Sequence, residues 1–483
     1  MDQSAPGGSG LEPVTALLDG PAGAIADAVN GRRVSARVVA EAALARIAAA
    51  NPVVNAFTDV TAARALSEAD SVDAAIARGR TLPLAGVPYS VKNLFDIEGV
   101  TTRAGSRINR DHPPATADGP LVSRAKAAGA ILTGAVNMGE YAYDFTGENV
   151  HDGNARNPHD LDRMSGGSSG GSGTAVAAGL SSFSLGSDTN GSIRVPSSFC
   201  GLLGLKPTFG RLSRSGTFPF TPSLDHLGPF ARSARDLALI FDLLQGWDDG
   251  DTSLARRPAI ATRDTLDLGL GDLRIARAGG YFTERLGPDA EAAMKIVADA
   301  LSVDRVVDVP EAHRARAAAY VITTAESATV HLDRLRKRAG DFDPATRDRF
   351  LSGAMVPTPW YVAAHRFRSW FKASMARIFE SVDALIAPAT PFAALRSGTA
   401  TITLGGVELP ARPNIGIFTQ PISFVGLPVA AVPVWPQGDE GLPIAVQVIA
   451  PAWREDIALR IAHSLQETGV ARAPVARQFR GKT

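Results

Sequence analysis

SGGSSGGSGTAVAAGLSSFSLGSDTNGSIRVPSSFCGLLGLKPT, residues 165–208, sets two glycine- and serine-rich loops around a short helical run and a strand-like run. Ser168 stands in the first loop and Ser192 in the second. TAVAAGL has the pattern of a helix springing from the first loop, and SSFSLGS that of a strand leading into the second. A Gly/Ser run between domains is usually a flexible linker. Here the run lies between structured segments and opens directly into a helix, so its amides can form a polar turn. In the second loop, small residues let the backbone N–H groups of Thr189, Asn190, Gly191 and Ser192 converge on one carbonyl oxygen.

A third residue completes the set. Lys92 ends the apolar run PLAGVPYSVK, which reads as a buried strand. Amide carbonyls are poor electrophiles, so their hydrolysis needs an activated hydroxyl, a base and preorganised oxyanion donors. A lysine can be that base only when burial depresses its pKa. The chain has seven lysines, and one at the end of an apolar strand stands out; the alternative is a lysine snorkelling to water.

Working outward, the 483 residues balance 49 Lys+Arg against 49 Asp+Glu, which favours neither nucleic acid nor an anionic membrane as partner. The single cysteine, Cys200, excludes an intrachain disulfide framework and a thiolate zinc cluster, and in FCGLLGL it reads as an inert buried thiol. MDQSAPGGSG lacks the basic and apolar regions of a signal peptide, and no uninterrupted apolar run is long enough to span a bilayer. A cytoplasmic protein without metal or other cofactor is expected. The eight histidines show no HExxH spacing.

The periodicity divides the chain into a flexible tail (1–10), an N-terminal helical segment (11–80), a core (81–245), a helix-rich covering region (246–380) and the rest of the same core sheet (381–475). In the N-terminal segment, VSARVVAEAALARIAAA is predicted to end as a helix before Asn51-Pro52. Strands alternate with helices through the core, and strand signals return in ALIAPA, TITLGGVELP, PVAAVPVW and PIAVQVIAP. The expectation is one catalytic α/β domain with a parallel or mixed sheet.

GGSSGGSG and SDTNGSIRVPSSFCGLLGLKPT, with VKN upstream and the C-terminal GLPVAAVPVW and LPIAVQVIAP, resemble the amidase signature family over most of the chain. The resemblance implies a large mixed sheet sandwiched by helices and a Ser–cis-Ser–Lys triad that cleaves carbon–nitrogen bonds through an acyl-enzyme. Carried onto this sequence, Ser192 is the nucleophile, Ser168 the bridging serine and Lys92 the base, with the amides of residues 189–192 as oxyanion hole. Ser169, Asp188 and Arg194 support them, and Met138, Tyr141, Arg349 and Gln447 contact substrate. For Asp188 and Arg194 the alternative is a surface ion pair, and for Arg349 a solvated helix arginine. The family's glycine pair before the nucleophile is Asn190-Gly191 here; asparagine tolerates left-handed backbone, and its side chain adds a polar group beside the acyl pocket.

TNGSIRVP, NPHDLDRMSGGSSGG and FDPATRDRFLSGAM are most similar to the carboxybiuret-hydrolase branch, whose substrates are small, urea- or biuret-like and carboxylated. The implied partners are a small amide, anilide, carbamate (urethane) or urea-like substrate, with a homodimer and a small accessory subunit both open. The glutamine-hydrolysing component of a glutamine-dependent amidotransferase shares the triad and is the alternative. GGSSG also fits the G-x-S-x-G nucleophile elbow with His226 as base, but NPHDLDRM is a poor strand to precede it. No glycine-rich segment ends in Gly-Lys-Ser/Thr, so a phosphate-binding loop has no support.

Overall fold

The computed structural model describes residues 11–482, so the expected tail, residues 1–10, lies outside the described residues. The N-terminal part holds α1 (Leu11–Asp19), α2 (Ala22–Asn30), α3 (Ala36–Val54), β1 (Phe57–Val60) and α4 (Ala62–Ala77). Helix α3 runs past the expected stop and carries Pro52 in its last turn. Proline removes only one donor there, and Asn51 repairs the end. Its side chain bonds both backbone groups of Phe57, and its carbonyl accepts from the left-handed cap Asn55.

The region around the loops contains β2 (Pro88–Lys92), α5 (Pro120–Ala127), β3 (Ile131–Val136), α6 (Gly170–Ala177), β4 (Phe183–Ser187), α7 (Arg194–Cys200), β5 (Leu203–Lys206), β6 (Leu227–Ala231) and α8 (Ala234–Leu244). Next come β7 (Ile275–Gly279), α9 (Pro288–Ala300), β8 (Val306–Asp308) and three long helices, α10 (Ala312–Arg338), α11 (Pro344–Ala354) and α12 (Thr358–Ile378). The C-terminal part has β9 (Ala384–Pro388), β10 (Thr401–Leu404), β11 (Val407–Pro410), α13 (Ala411–Asn414), α14 (Gln420–Val425), β12 (Val429–Val434), β13 (Ile444–Ile449) and α15 (Glu455–Glu467).

Eleven strands form one mixed sheet in the order β1-β3-β2-β4-β6-β5-β12-β13-β9-β7-β8. β2 lies parallel to both β3 and β4, while β4, β6, β5, β12, β13 and β9 pair antiparallel in turn. Central strands are buried along their length, which is why they read as largely apolar runs, and their few polar residues, Ser90, Lys92, Thr133 and Gln447, are hydrogen-bonded inside the protein. Successive side chains still point to opposite faces: Ala384 and Ile386 enter one core cluster, Leu385 and Ala387 another. α8 and α15 cover the first face, and α10, α12 and α14 the second.

Residues 246–380 are rich in helix but also contribute β7 and β8 at the sheet's edge. TITLGGVELP stands apart from the sheet: β10 and β11 form their own mostly exposed ribbon, turned by Gly405 and Gly406 at positive φ. No helix among the described residues is long and apolar enough to cross a membrane.

Candidate active site

β2, β3 and β4 enclose Lys92, which is 0% exposed. Its Nζ donates to Ser168 Oγ at 2.6 Å and to Ser187 Oγ at 2.8 Å. Burial lowers its pKa to about 7, against the opposing pull of the Asp225, Asp188 and Asp144 carboxylates. A lysine so placed is partly neutral near neutral pH.

Ser168 sits in a packed loop, not a linker. Gly166 N–H donates to the Thr146 carbonyl at 3.1 Å, Gly167 N–H to Phe145 at 2.8 Å, and Gly139 N–H to the Ser168 carbonyl at 3.1 Å. The Gly167–Ser168 peptide is cis. A Cβ on Gly166 would strike the backbone of Pro196, so the glycine is demanded by close approach as well as by its φ of 81°. Ser169 Oγ donates to the Ser187 carbonyl at 3.1 Å and accepts from the Ser187 N–H at 3.3 Å, tying this loop to the end of β4.

The second loop leaves β4 at Ser187 and enters α7 at Arg194. Asp188 accepts from Arg194 Nε at 2.9 Å and Nη2 at 2.9 Å, and both side chains are fully buried, so the pair is no surface contact. Burial alone would raise the Asp188 carboxyl, but the Arg194 charge and hydrogen bonds hold it well below the usual carboxylate range. The pair is itself anchored: Arg194 Nη1 donates to the Thr419 carbonyl at 3.0 Å and to Gln447 Oε1 at 2.7 Å, and Ser423 Oγ donates to Asp188 at 3.1 Å.

Within this bracket the amides of Thr189, Asn190, Gly191 and Ser192 donate to no acceptor among the described residues. Gly191 has a φ of 141°, and a Cβ there would run into the Thr419 side chain. Thr419 Oγ1 donates instead to the Asn190 carbonyl at 2.6 Å, fixing the loop from outside. Thr189 Oγ1 is held by Asp225 at 2.6 Å. No hydrogen bond joins Ser168 to Ser192 among the described residues. His226 Nδ1 lies against the Leu224 and Asp188 carbonyls, at 2.7 and 3.0 Å, its Nε2 has no hydrogen-bond partner among the described residues, and burial pushes its pKa well below the ordinary value. Among the described residues it makes no hydrogen bond with Ser168, as an elbow serine would require of its base.

The residues expected to contact substrate fall in different places. Arg349, on α11, donates to the Tyr143 carbonyl at 2.8 Å and lies 4.6 Å over the Tyr143 ring, half-buried and without an ion-pair partner among the described residues. Tyr141 is enclosed by His331, Phe218, Phe342 and Phe350, and its hydroxyl donates to Asn109. Met138, three residues before it, is buried in the same core cluster.

Gln447 corrects its expected role. It is 0% exposed, its Oε1 accepts from Arg194, and its Nε2 donates to the Pro388 and Phe418 carbonyls at 2.8 and 3.1 Å. Both donors are consumed by the protein, so it braces Arg194 from beneath.

Sequence reasoning missed Ser187, the second hydroxyl on Lys92, although it directly precedes Asp188 in SDTNGS. It also missed Thr323, Thr419 and Ser423, which reach the loop from far along the chain without a local motif. A cavity of about 160 Å³ lined by Leu94, Ser187, Phe218, Phe220 and Asp225 opens beside the lysine's partner.

The amidase family model matches residues 38–459. AtzE, the 1-carboxybiuret hydrolase subunit of Pseudomonas sp. (strain ADP), is 53% identical over 449 residues, covering 93% of this chain and 98% of that protein. The glutamyl-tRNA(Gln) amidotransferase A-type subunit of Koribacter versatilis (strain Ellin345) is 34% identical over 468 residues, 91% of this chain and 96% of that one. A solved structure, described as an unexpected vestigial protein complex that reveals the evolutionary origins of an s-triazine catabolic enzyme, superposes with a TM-score of 0.93 at 52% identity. It covers 94% of this chain and 100% of its own.

Proposed function

The chain belongs to the amidase family, and on that premise we propose that it hydrolyses amide-type carbon–nitrogen bonds through an acyl-enzyme on Ser192. Neutral Lys92 takes a proton from Ser168, and Ser168 takes one from Ser192 as that oxygen attacks the carbonyl carbon. This requires the Ser192 hydroxyl to turn toward Ser168 when substrate is bound. The amides of Thr189, Asn190, Gly191 and Ser192 stabilise the oxyanion. The proton returns through Ser168 to the departing nitrogen, the C–N bond breaks, and water then hydrolyses the ester to release acid and free enzyme.

One observation carries this reading: a fully buried lysine, with a pKa lowered to about 7, bonds the serine of the first loop at 2.6 Å. Serine-directed phosphonofluoridate provides the test. Label on Ser192 that is lost in Lys92→Met supports the assignment, and label on Ser168 overturns it.

Amides, anilides, carbamates and ureas all present the required carbonyl. A dedicated carboxybiuret-type hydrolase is favoured within this class by the 53% identity to AtzE and by Arg349, which makes no ion pair among the described residues. The amidotransferase reading rests on the 34% relative and predicts glutamine-dependent transamidation with partner subunits. A panel of a carboxybiuret-like acid, an anilide, a carbamate and glutamine separates the three. The protein is proposed to act in the cytoplasm without a cofactor. A small accessory subunit is included in the proposal because the 52%-identical structure is described as a complex; a homodimer is the other assembly, and sedimentation distinguishes them.

A further inference from the structure

The backbone of Asn190 belongs to the proposed oxyanion loop, but its side chain has no part in that account. The carboxamide is only 6% exposed. Its Nδ2 donates to Thr323 Oγ1 of α10 at 2.9 Å, while its Oδ1 has no hydrogen-bond partner among the described residues. A buried amide oxygen without a donor loses the water bonds it had in the unfolded chain and gains nothing in return. Easy relief is denied by two anchors: Thr419 fixes the Asn190 carbonyl and Thr323 fixes the amide nitrogen. Thr221 Oγ1, another buried group without a partner among the described residues, borders the same loop, since Asp225 accepts from both Thr221 N–H and Thr189 Oγ1.

We propose that Asn190 Oδ1 accepts a hydrogen bond from an N–H on the acyl side of the scissile carbonyl. The site thereby selects ureido substrates, whose carbonyl carries a second nitrogen, over alkyl amides. The proposal rests on the acyl-enzyme reading of Ser192. An alkyl acyl group puts a methyl or methylene where the second nitrogen would stand, so the buried oxygen stays unpaired in the complex. Rejection of this kind exceeds what a pocket shaped for a methyl group achieves. α10 is the element that enforces it, because Thr323 holds the carboxamide in place.

The test is the matched pair 4-nitrophenylurea and 4-nitroacetanilide, which differ as NH2 against CH3 and release the same 4-nitroaniline. The readout is the ratio of kcat/KM, urea over anilide. In Thr323→Val and in Asn190→Gly the ratio is expected to fall about tenfold or more, and Thr323→Ser is expected to restore it. A ratio unchanged in both variants, with the two substrates falling together, overturns the proposal. Wild-type enzyme that takes the phosphonofluoridate label on Ser192 yet prefers the anilide also overturns it and leaves the hydrolase reading standing. Loss of both labelling and turnover removes the two together.

Discussion

Asp188 and Arg194 clamp one another across the loop that carries Ser192, with Nε–Oδ2 and Nη2–Oδ1 distances of 2.9 Å and neither side chain exposed. Taking two charges out of water is costly, and this pair recovers the cost only because Thr419, Ser423 and Gln447 satisfy the remaining donors and acceptors. Its value is conformational: it holds four unpaired amides in one concave turn. Removing one partner strands the other charge. Arg194→Met or Asp188→Ala should therefore cost about 3–5 kcal/mol in urea denaturation and lower kcat at least about a hundredfold through the distorted turn. Arg194→Lys should behave like Arg194→Met, because a single ammonium cannot reproduce a fork reaching Asp188, Thr419 and Gln447. A lysine variant with wild-type turnover would refute the bracket.

Lys92 gives the reaction its pH dependence. The proposed base must be neutral, and its pKa is lowered to about 7 by burial. Activity should rise with pH as the proton leaves, so kcat/KM should show an acid limb with a midpoint near pH 7. Lys92→Met should reduce turnover by roughly a thousandfold or more and abolish that limb. A limb unmoved in the variant would assign the titration to another group.

Much of this is legible in the sequence. The buried strands are readable because β2, β3, β12 and β13 are covered on both faces, which makes them predominantly apolar. Lys92, Ser168 and Ser192 are readable because Lys92 ends an apolar strand and each serine stands in a glycine-rich loop that opens a helix, α6 or α7. The sheet order is not, since β5 joins β12 and β9 lies between β13 and β7, pairings set by long-range packing. The same limit hides Thr323 and Thr419, which meet Asn190 only because α10 and the α14 region fold over the loop. Gln447 reads as a substrate contact in the sequence because nothing local reveals that Arg194 consumes its carbonyl.

Gly191 tests whether the second loop is as rigid as its anchors require. Its φ of 141° is open to glycine and strained for any residue with a Cβ, and the added carbon would collide with Thr419. Thr419 cannot simply retreat, because its hydroxyl holds the Asn190 carbonyl at 2.6 Å. Gly191→Ala should lower kcat by at least about a hundredfold through misplaced amides, with a smaller loss in thermal stability of about 1–3 kcal/mol. Near-normal kcat in this variant would show that the loop amides do not set the rate.

A second lysine, Lys206, makes a prediction about stability instead of catalysis. It is 0% exposed, and its Nζ donates to the Pro207 carbonyl at 3.0 Å. Burial, with the Arg194 charge adding to it, lowers its pKa from 10.5 to about 7, against Asp188 and Glu455. Between those two pH values the unfolded chain binds a proton that the native state does not. Stability should therefore rise with pH across that window, by up to about 1.4 kcal/mol per pH unit for each such lysine. Below pH 7 both states are protonated and the dependence flattens. Lys92 contributes in the same window, so Lys206→Met should remove one of two slopes. The variant should gain stability relative to wild type at pH 7, with the difference shrinking toward pH 10, in urea denaturation at a series of pH values. A difference independent of pH would mean that Lys206 is charged in the native state and that the Asp188 and Glu455 carboxylates outweigh its burial.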